Sequence, residues 1–425
     1  MFRWGLVFVI GSGIALVVIE ICENIRINDE KVTPATFLKR GAIFSNSMLR
    51  LWRDLYCALR IVADYEWSLW RLEGDELEAK KKIVHLRSAL RLRDLMSKNG
   101  GVYIKFGQHV AQLQFLLPDE YVDTMKPMLN QAPTSSMADV RRVYREEFGK
   151  ELEEVFEQFD QVPIASASLA QVYFARLKPV GDETVGREVA VKVQHAALQA
   201  NCESDIATVN FIIKLIHRLD SRFNYQWLAD EMATNLPLEC DFVHEARNSE
   251  RARKNFECDR GREDIAVPRI LWAHTSKRVL TMERMFGCLV NDVDGLRKAG
   301  ISREAVSSLM SQVFSEMIFL HGFVHCDPHA GNMLVSRRSA TDSRPRLILL
   351  DHGLYRELSD EFRIAYAYLW NSLIRGDGEG IKKYSQLMNA GEMYPLFASM
   401  LTRKAYHKIT AKKGDMNSLV LKSAK

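Results

Sequence analysis

The segment His325-Cys326-Asp327-Pro328-His329-Ala330-Gly331-Asn332, followed by an apolar run that ends in Leu349-Leu350-Asp351-His352-Gly353, constrains this chain more than any other feature. It sets out an Asp, an Asn five residues later, and a second Asp just past the next expected strand. This is the layout of a kinase-type phosphoryl-transfer site. There the first Asp orients or deprotonates the attacking hydroxyl, and the Asn and second Asp hold the metal ions that neutralise the phosphates. All three side chains offer hard oxygen donors, as Mg²⁺ requires. The plainer alternative is a polar turn between two strands, since Asp, Asn and Gly fill turns for steric reasons. An Asp-His-Gly closing the following strand weighs against that coincidence.

A lysine upstream adds to the pattern. Val189-Ala190-Val191-Lys192-Val193 is β-branched and alternating, and reads as a strand. Lys192 then stands where a strand lysine pairs with nucleotide phosphates and is itself fixed by a helix glutamate. Exposed strand lysines are common, so its weight lies in chain order: loop, strand lysine, helix, catalytic loop, metal aspartate. The glycine-rich loop that normally covers the phosphates is missing. Its place is taken by Ala165-Ser166-Ala167-Ser168-Leu169-Ala170-Gln171-Val172. Without glycine such a loop is stiffer and bulkier near a phosphate. It reads either as a small-residue turn before a strand or as a modified nucleotide lid.

These residues resemble the aarF-domain-containing (UbiB-type) atypical kinases, nearest in pattern to the mitochondrial branch called aarF-domain-containing kinase one. The alanine-rich loop is a feature of that family. Lys105-Phe106-Gly107-Gln108 fits its K-x-G-Q signature, Glu239-Cys240-Asp241 its E-x-D motif, and Glu245 follows at the expected offset. The resemblance covers roughly residues 35 to 410. It implies an α+β, bilobed protein-kinase-like fold with a helical N-terminal extension, using ATP and Mg²⁺. Lys192 would contact the phosphates and pair with Glu245. Residues Ala165, Ser166, Ala167 and Ser168 would form the nucleotide lid, and Glu283 would begin the adenine hinge. Asp327 would be the catalytic aspartate, with Asn332 and Asp351 as metal ligands. Lys105, Gly107 and Gln108 would sit on an extension over the site, where Lys105 meets Glu239 and Asp241 and restricts entry of a protein substrate. His352 stands where many relatives carry Phe. The chain ends soon after Asp351, so the large lobe is expected to be shortened.

The carboxylates can also be read without the family. Residues 227–256 lack glycine and carry apolar side chains at helical spacing, interrupted by Pro237, which should kink or divide the helix. On a continuous helix Glu239 and Asp241 point in different directions, because i and i+2 share no face. Glu245 would lie about 240° from Glu239 at ~100° per residue. Glutamates on a solvated face are the ordinary alternative.

The net charge of +4 is modest and no basic block interleaves with aromatics, so nucleic-acid binding has little support. Seven cysteines are scattered without C-x-x-C spacing, which argues against a disulfide framework or a zinc site. Cys326 in the catalytic loop reads as a small buried residue or an oxidation-sensitive one. The run from Trp4 to Ile19 is uncharged and apolar. It approaches the ~20 residues of a bilayer span once Ile21 and Cys22 are counted. A retained anchor at 1–22 is preferred over a secretory signal, because no clear small-residue cleavage site precedes Glu20. By resemblance, that anchor would sit in the mitochondrial inner membrane.

The expected organisation is an anchor (1–22), a helical extension (35–160), a small lobe (161–289) and a mostly helical large lobe (290–425). Ser302 should cap a helix that runs to His321, with Gly322 as its stop. The expected function is ATP-dependent phosphoryl transfer or ATP hydrolysis supporting mitochondrial membrane or lipid homeostasis. Membrane lipids are a conceivable partner, and the protein or lipid substrate is left open. Two other classes remain. A small-molecule kinase shares the H-x-D-x-x-x-x-N loop but has no reason to carry K-x-G-Q or E-x-D. A non-catalytic nucleotide-binding scaffold is not excluded by the retained residues.

Overall fold

The structure is a computed structural model that describes residues 34–114, 116–129, 134–179, 186–196, 198–219, 226–257 and 262–410. The anchor expected at 1–22 lies outside the described residues. Among those described, no helix is long and apolar enough to cross a membrane. The chain divides into two compact units, Met1–Arg247 with Arg269–Arg284, and Asn248–Pro268 with Met285–Lys425. A single cut at 289 therefore does not describe the division, because a stretch of each unit is inserted in the other.

The first unit opens with helices α1 (Pro34–Ser68), α2 (Gly74–Asn99), α3 (Val102–Gln112) and α4 (Asp119–Met125), then α5 (Met137–Phe148) and the single turn α6 (Leu152–Val155). Gly100 and Gly101 both have positive φ and turn the chain from α2 into α3. Ser136 caps α5 through its side chain, and Gly149 closes it in the left-handed region. The extension is helical as expected, with one correction at its end. Phe156–Phe159 is a strand, β1, because Phe156 is needed in the core of the sheet.

That sheet is antiparallel, with strands β1, β3 (Ala170–Leu177), β4 (Glu188–Gln194) and β6 (Val279–Glu283) in that order and β2 (Ala165–Ser166) paired to β3. Val189, Val191 and Val193 of β4 pack with Tyr173, Val279 and residues of α5. The middle of this central strand, residues 189–193, is apolar except for Lys192. Helices α7 (Leu198–Leu219), α8 (Gln226–Glu239) and α9 (Phe242–Glu257) follow β4. The break between the last two falls at Cys240–Asp241, not at Pro237, which remains inside α8. Proline removes the bond to the carbonyl four residues back, and here the helix ends within the next turn. Asp241 then starts α9 by accepting the amides of Val243 (2.9 Å) and His244 (3.4 Å) on Oδ1.

The second unit combines helices with short strands. It holds a four-stranded sheet in the order β5 (Ile265–Ala266), β10 (Pro345–Leu349), β9 (Met333–Arg337) and β7 (Cys288–Leu289). A separate antiparallel pair joins β8 (Phe323–His325) to β11 (Tyr355–Glu357). Its strands are only two to five residues long, too short for a period-two pattern to stand out. Helix α10 (Val293–Lys298) precedes α11 (Arg303–Glu316), which Ser302 caps as expected. It continues as a π-helical turn, Met317–His321, before Gly322 stops it with φ 61°. Val306, Leu309, Val313 and Met317 pack beneath the sheet against Val335, Leu347 and Leu349. Helices α12 (Asp360–Arg375), α13 (Gly378–Leu387), α14 (Tyr394–Thr402) and α15 (Tyr406–Thr410) form a separate apolar cluster around Leu369, Leu373 and Ile381.

Candidate active site

In the first unit the structure brings Lys192 and Glu245 together. Lys192 Nζ lies 2.8 Å and 2.9 Å from the two carboxylate oxygens of Glu245. The lysine side chain is 14% exposed and the glutamate 2%, so the pair is largely removed from water. The ring of Phe242, 5.0 Å from Nζ, adds its π face. Asp241 is what aims the glutamate, since its cap fixes where α9 begins. Removing one partner of such a buried pair typically costs about 3–5 kcal/mol, because the other charge is left stranded.

The alanine-rich segment is a hairpin. Ala165 and Ser166 pair with Val172 and Gln171, and the Ala167 amide donates to the Ala170 carbonyl at 2.8 Å. Ser168 is buried rather than presented to solvent. The turn is fastened from outside the hairpin. His195 uses Nε2 against the Ala167 carbonyl (3.0 Å) and Nδ1 against Ser135 Oγ (2.7 Å), and its amide donates to the Leu169 carbonyl. Gln171 grips both the amide and the carbonyl of Ser135. Neither His195 nor Ser135 was singled out in the sequence. Glu283 ends β6 opposite Val189, with Arg284 the last residue of this unit's second stretch.

The K-x-G-Q segment lies on α3. Lys105 Nζ is 2.8 Å from Glu239 Oε2, with side chains 19% and 6% exposed. Glu239 Oε1 is buried without a hydrogen-bond partner among the described residues, and His109 Nε2 lies 3.9 Å from it. Of the expected triad, Lys105 and Glu239 form this pair, and Asp241 caps α9 through Oδ1. A Cβ on Gly107 would stand 2.4 Å from Met128 Sδ and 3.1 Å from Met96 Sδ, so glycine permits close packing. Gln108 donates to the Met128 carbonyl at 3.0 Å. Gly107 and Gln108 thus dock the turn Lys126–Leu129, while Lys105 alone of the three carries the ion pair.

In the second unit, backbone bonds set the spacing of the expected catalytic and metal residues. The Asn332 side-chain amide donates to the Asp327 carbonyl (3.3 Å), and the Leu350 amide donates to the Asn332 carbonyl (2.9 Å). Asp327, Asn332 and Asp351 are therefore tied to one another through main-chain groups. The Asn332 carboxamide oxygen and the Asp327 carboxylate are oxygen donors of the type a divalent cation takes. Asp351 uses Oδ1 to accept the Gly353 amide (2.9 Å) and is a carboxylate donor of the same type. The donor chemistry fits Mg²⁺.

Aromatic side chains support this loop from below. His352 is buried, with Nδ1 2.9 Å from the Tyr355 hydroxyl and Nε2 3.2 Å from the Leu349 carbonyl. Asn248 donates to its backbone carbonyl at 3.0 Å. His325 accepts the Asp327 amide on Nδ1, and burial pushes its imidazole below the usual range against the pull of Asp351 and Asp327. Burial likewise raises the Tyr355 phenol, helped by Asp351.

Comparison with known proteins identifies the family. The family described as the ABC1 atypical kinase-like domain matches residues 127–385, more than half of the chain. A putative ABC1 protein of Arabidopsis thaliana is 45% identical over 388 residues, covering 88% of this chain and 70% of its own. The AarF domain-containing protein kinase 1 of Xenopus laevis is 43% identical, covering 85% of this chain and 68% of its own. Among solved structures, the erythromycin complex of a Mycobacterium tuberculosis protein is 24% identical, with a TM-score of 0.47 over 74% of this chain and 75% of its own. The fold is α+β and kinase-like with a helical N-terminal extension, and the chain belongs to the ABC1, or AarF-domain-containing, atypical kinase family.

Proposed function

We propose that the protein binds ATP with Mg²⁺ and catalyses phosphoryl transfer or ATP hydrolysis. The observation that carries this reading is the buried two-oxygen pairing of Lys192 with Glu245, which holds a cation among the apolar residues at the middle of β4. A charge kept there at such cost has a use only if an anion is met, and a nucleotide phosphate is that anion in kinase-like folds. In the second unit, Asp327 orients the attacking hydroxyl or water, and Asn332 and Asp351 hold the metal. Mg²⁺, when bound, neutralises phosphate charge. The alanine hairpin, fastened by His195 and Gln171, offers backbone amides without the freedom that glycine would supply.

The test is nucleotide binding by calorimetry with and without Mg²⁺, in the parent and in Asp351→Asn. Metal-dependent affinity should fall at least tenfold in the variant while its melting temperature holds. Equal affinity in both would remove the metal assignment. Membership of the family also supports a mitochondrial, membrane-associated role, with the apolar residues 4–19 as the tether. Alkaline carbonate should leave the full chain in the membrane pellet and release a chain starting near Val32; release of both would refute the tether.

A further inference from the structure

We propose that Cys202 and Cys240 form a redox-controlled disulfide, a modification site that fastens the E-x-D joint to the start of helix α7. Their Sγ atoms lie 3.8 Å apart although the residues are 38 positions apart in the chain. A disulfide needs about 2.05 Å between sulfurs, so the pair must close by less than the width of one atom. Cys202 is buried on α7, and Cys240 is partly exposed. Both pack in one apolar cluster with Val102, Leu169, Leu198 and Leu236. Cys240 lies in the break between α8 and α9, where a small backbone adjustment does not have to unwind a helix.

The position gives the bond its meaning. Glu239 on one side of Cys240 pairs with Lys105, and Asp241 on the other caps the helix that presents Glu245 to Lys192. The Cys240 carbonyl also accepts from Gln194, two residues beyond Lys192 on β4. A bond at Cys240 therefore locks the short joint shared by both ion pairs.

The oxidant required is a hydroperoxide. The Cys240 thiolate, the more accessible, attacks a peroxide oxygen and breaks the O–O bond, leaving a sulfenic acid and hydroxide. The Cys202 thiolate then attacks that sulfur, forming the S–S bond and expelling a second hydroxide. With hydrogen peroxide the two thiol protons end in two waters, and two electrons pass from the sulfurs to the peroxide.

The full chain would be treated with hydrogen peroxide, alkylated and mapped by mass spectrometry without reduction. A cross-linked Cys202–Cys240 peptide is expected, reversed by dithiothreitol and absent in Cys202→Ser and Cys240→Ser. In Cys202→Ser, dimedone should trap the sulfenic acid on Cys240. Closing a loop of this length should raise the melting temperature of the oxidised protein by roughly 5–10 °C. The proposal is overturned if both thiols remain alkylatable at peroxide levels that oxidise the exposed Cys326, or if the cross-link forms with no rise in melting temperature. Slower ATP association in the oxidised form is also expected, and this part rests on the nucleotide reading above. If ATP binds neither form, that reading falls, while the cross-link and melting shift still decide the disulfide.

Discussion

Replacing Lys105 by alanine tests whether the N-terminal extension is held by charge. The substitution removes the cation 2.8 Å from Glu239 Oε2 and leaves a carboxylate that is 6% exposed. Stranding one member of a buried pair costs about 3–5 kcal/mol. Two features reduce that here. The lysine is 19% exposed, so water shares in solvating the pair, and His109 Nε2 at 3.9 Å can take up part of the carboxylate's charge. A loss of about 2–3 kcal/mol remains. For a unit of this size each kcal/mol moves the melting temperature by about 2–4 °C, so the variant should melt on the order of 5–10 °C lower. Adding Glu239→Gln to Lys105→Ala should restore most of the loss, because a neutral amide in the same shape strands no charge. Differential scanning calorimetry of the two single variants and the double variant reads this directly. A Lys105→Ala protein that melts with the parent, or a double variant no better than the single, would show that charge does not hold α3 to α8.

Two further outcomes follow from the first unit. Burial raises the Asp54 carboxyl from its ordinary 3.8 to about 7, and burial also raises Asp205 to about 6 against its pairing with Arg50. Between roughly pH 4 and 7 the folded chain keeps protons that the unfolded chain has lost, so stability should fall as pH rises through that window and level off above it. The cost from ionised Asp54 is on the order of 4 kcal/mol. Asp54→Asn should raise the melting temperature at pH 8 and change it little at pH 4, since Tyr103 and Asn99 can still bond an amide there; an equal effect at both pH values would refute the burial argument. Gly107→Ala should cost about 1 kcal/mol net, because displacing Met128 and Met96 outweighs the better helix propensity of alanine, and a urea melt that favours alanine would show the packing to be slack.

Local chemistry was legible in the residues themselves, whereas the long-range pairs of Lys192 with Glu245 and Lys105 with Glu239 were expected only through the family resemblance. Lys192, Asp327, Asn332 and Asp351 stand out because spacing within a loop or along a strand is a short-range property. The cap at Ser302 and the stop at Gly322 were readable for the same reason. The break at Cys240–Asp241 was misplaced because proline marks trouble for a helix without fixing the turn in which it gives way. The capping role of Asp241 was not read, although a carboxylate beside a helix start readily meets backbone amides. The buried group of Arg50, Asp54, Asn99, Tyr103 and Asp205 went unread altogether. Its members come from four helices, and each on its own looks like a residue on a solvated face. Apart from the strand that runs into Asp351, the short strands of the second unit escaped because two to five residues carry no periodicity.

His195 carries a constraint of its own. A carbonyl can only accept, so the nitrogen facing Ala167 must hold the ring's hydrogen, and the other nitrogen must then receive the Ser135 hydroxyl proton. The tautomer is fixed by its neighbours, and burial keeps the ring neutral by drawing its pKa below 6.5. The contribution of the neutral ring is complete above about pH 6.5, where the unfolded histidine is also neutral, and drains away as pH falls toward the lowered folded value. A doubly protonated ring would have to turn Ser135 around, because both nitrogens would then donate. The alanine turn is therefore latched by a side chain whose proton inventory is settled at neutral pH, and acid is the one solvent change that reaches the latch without touching the hairpin itself.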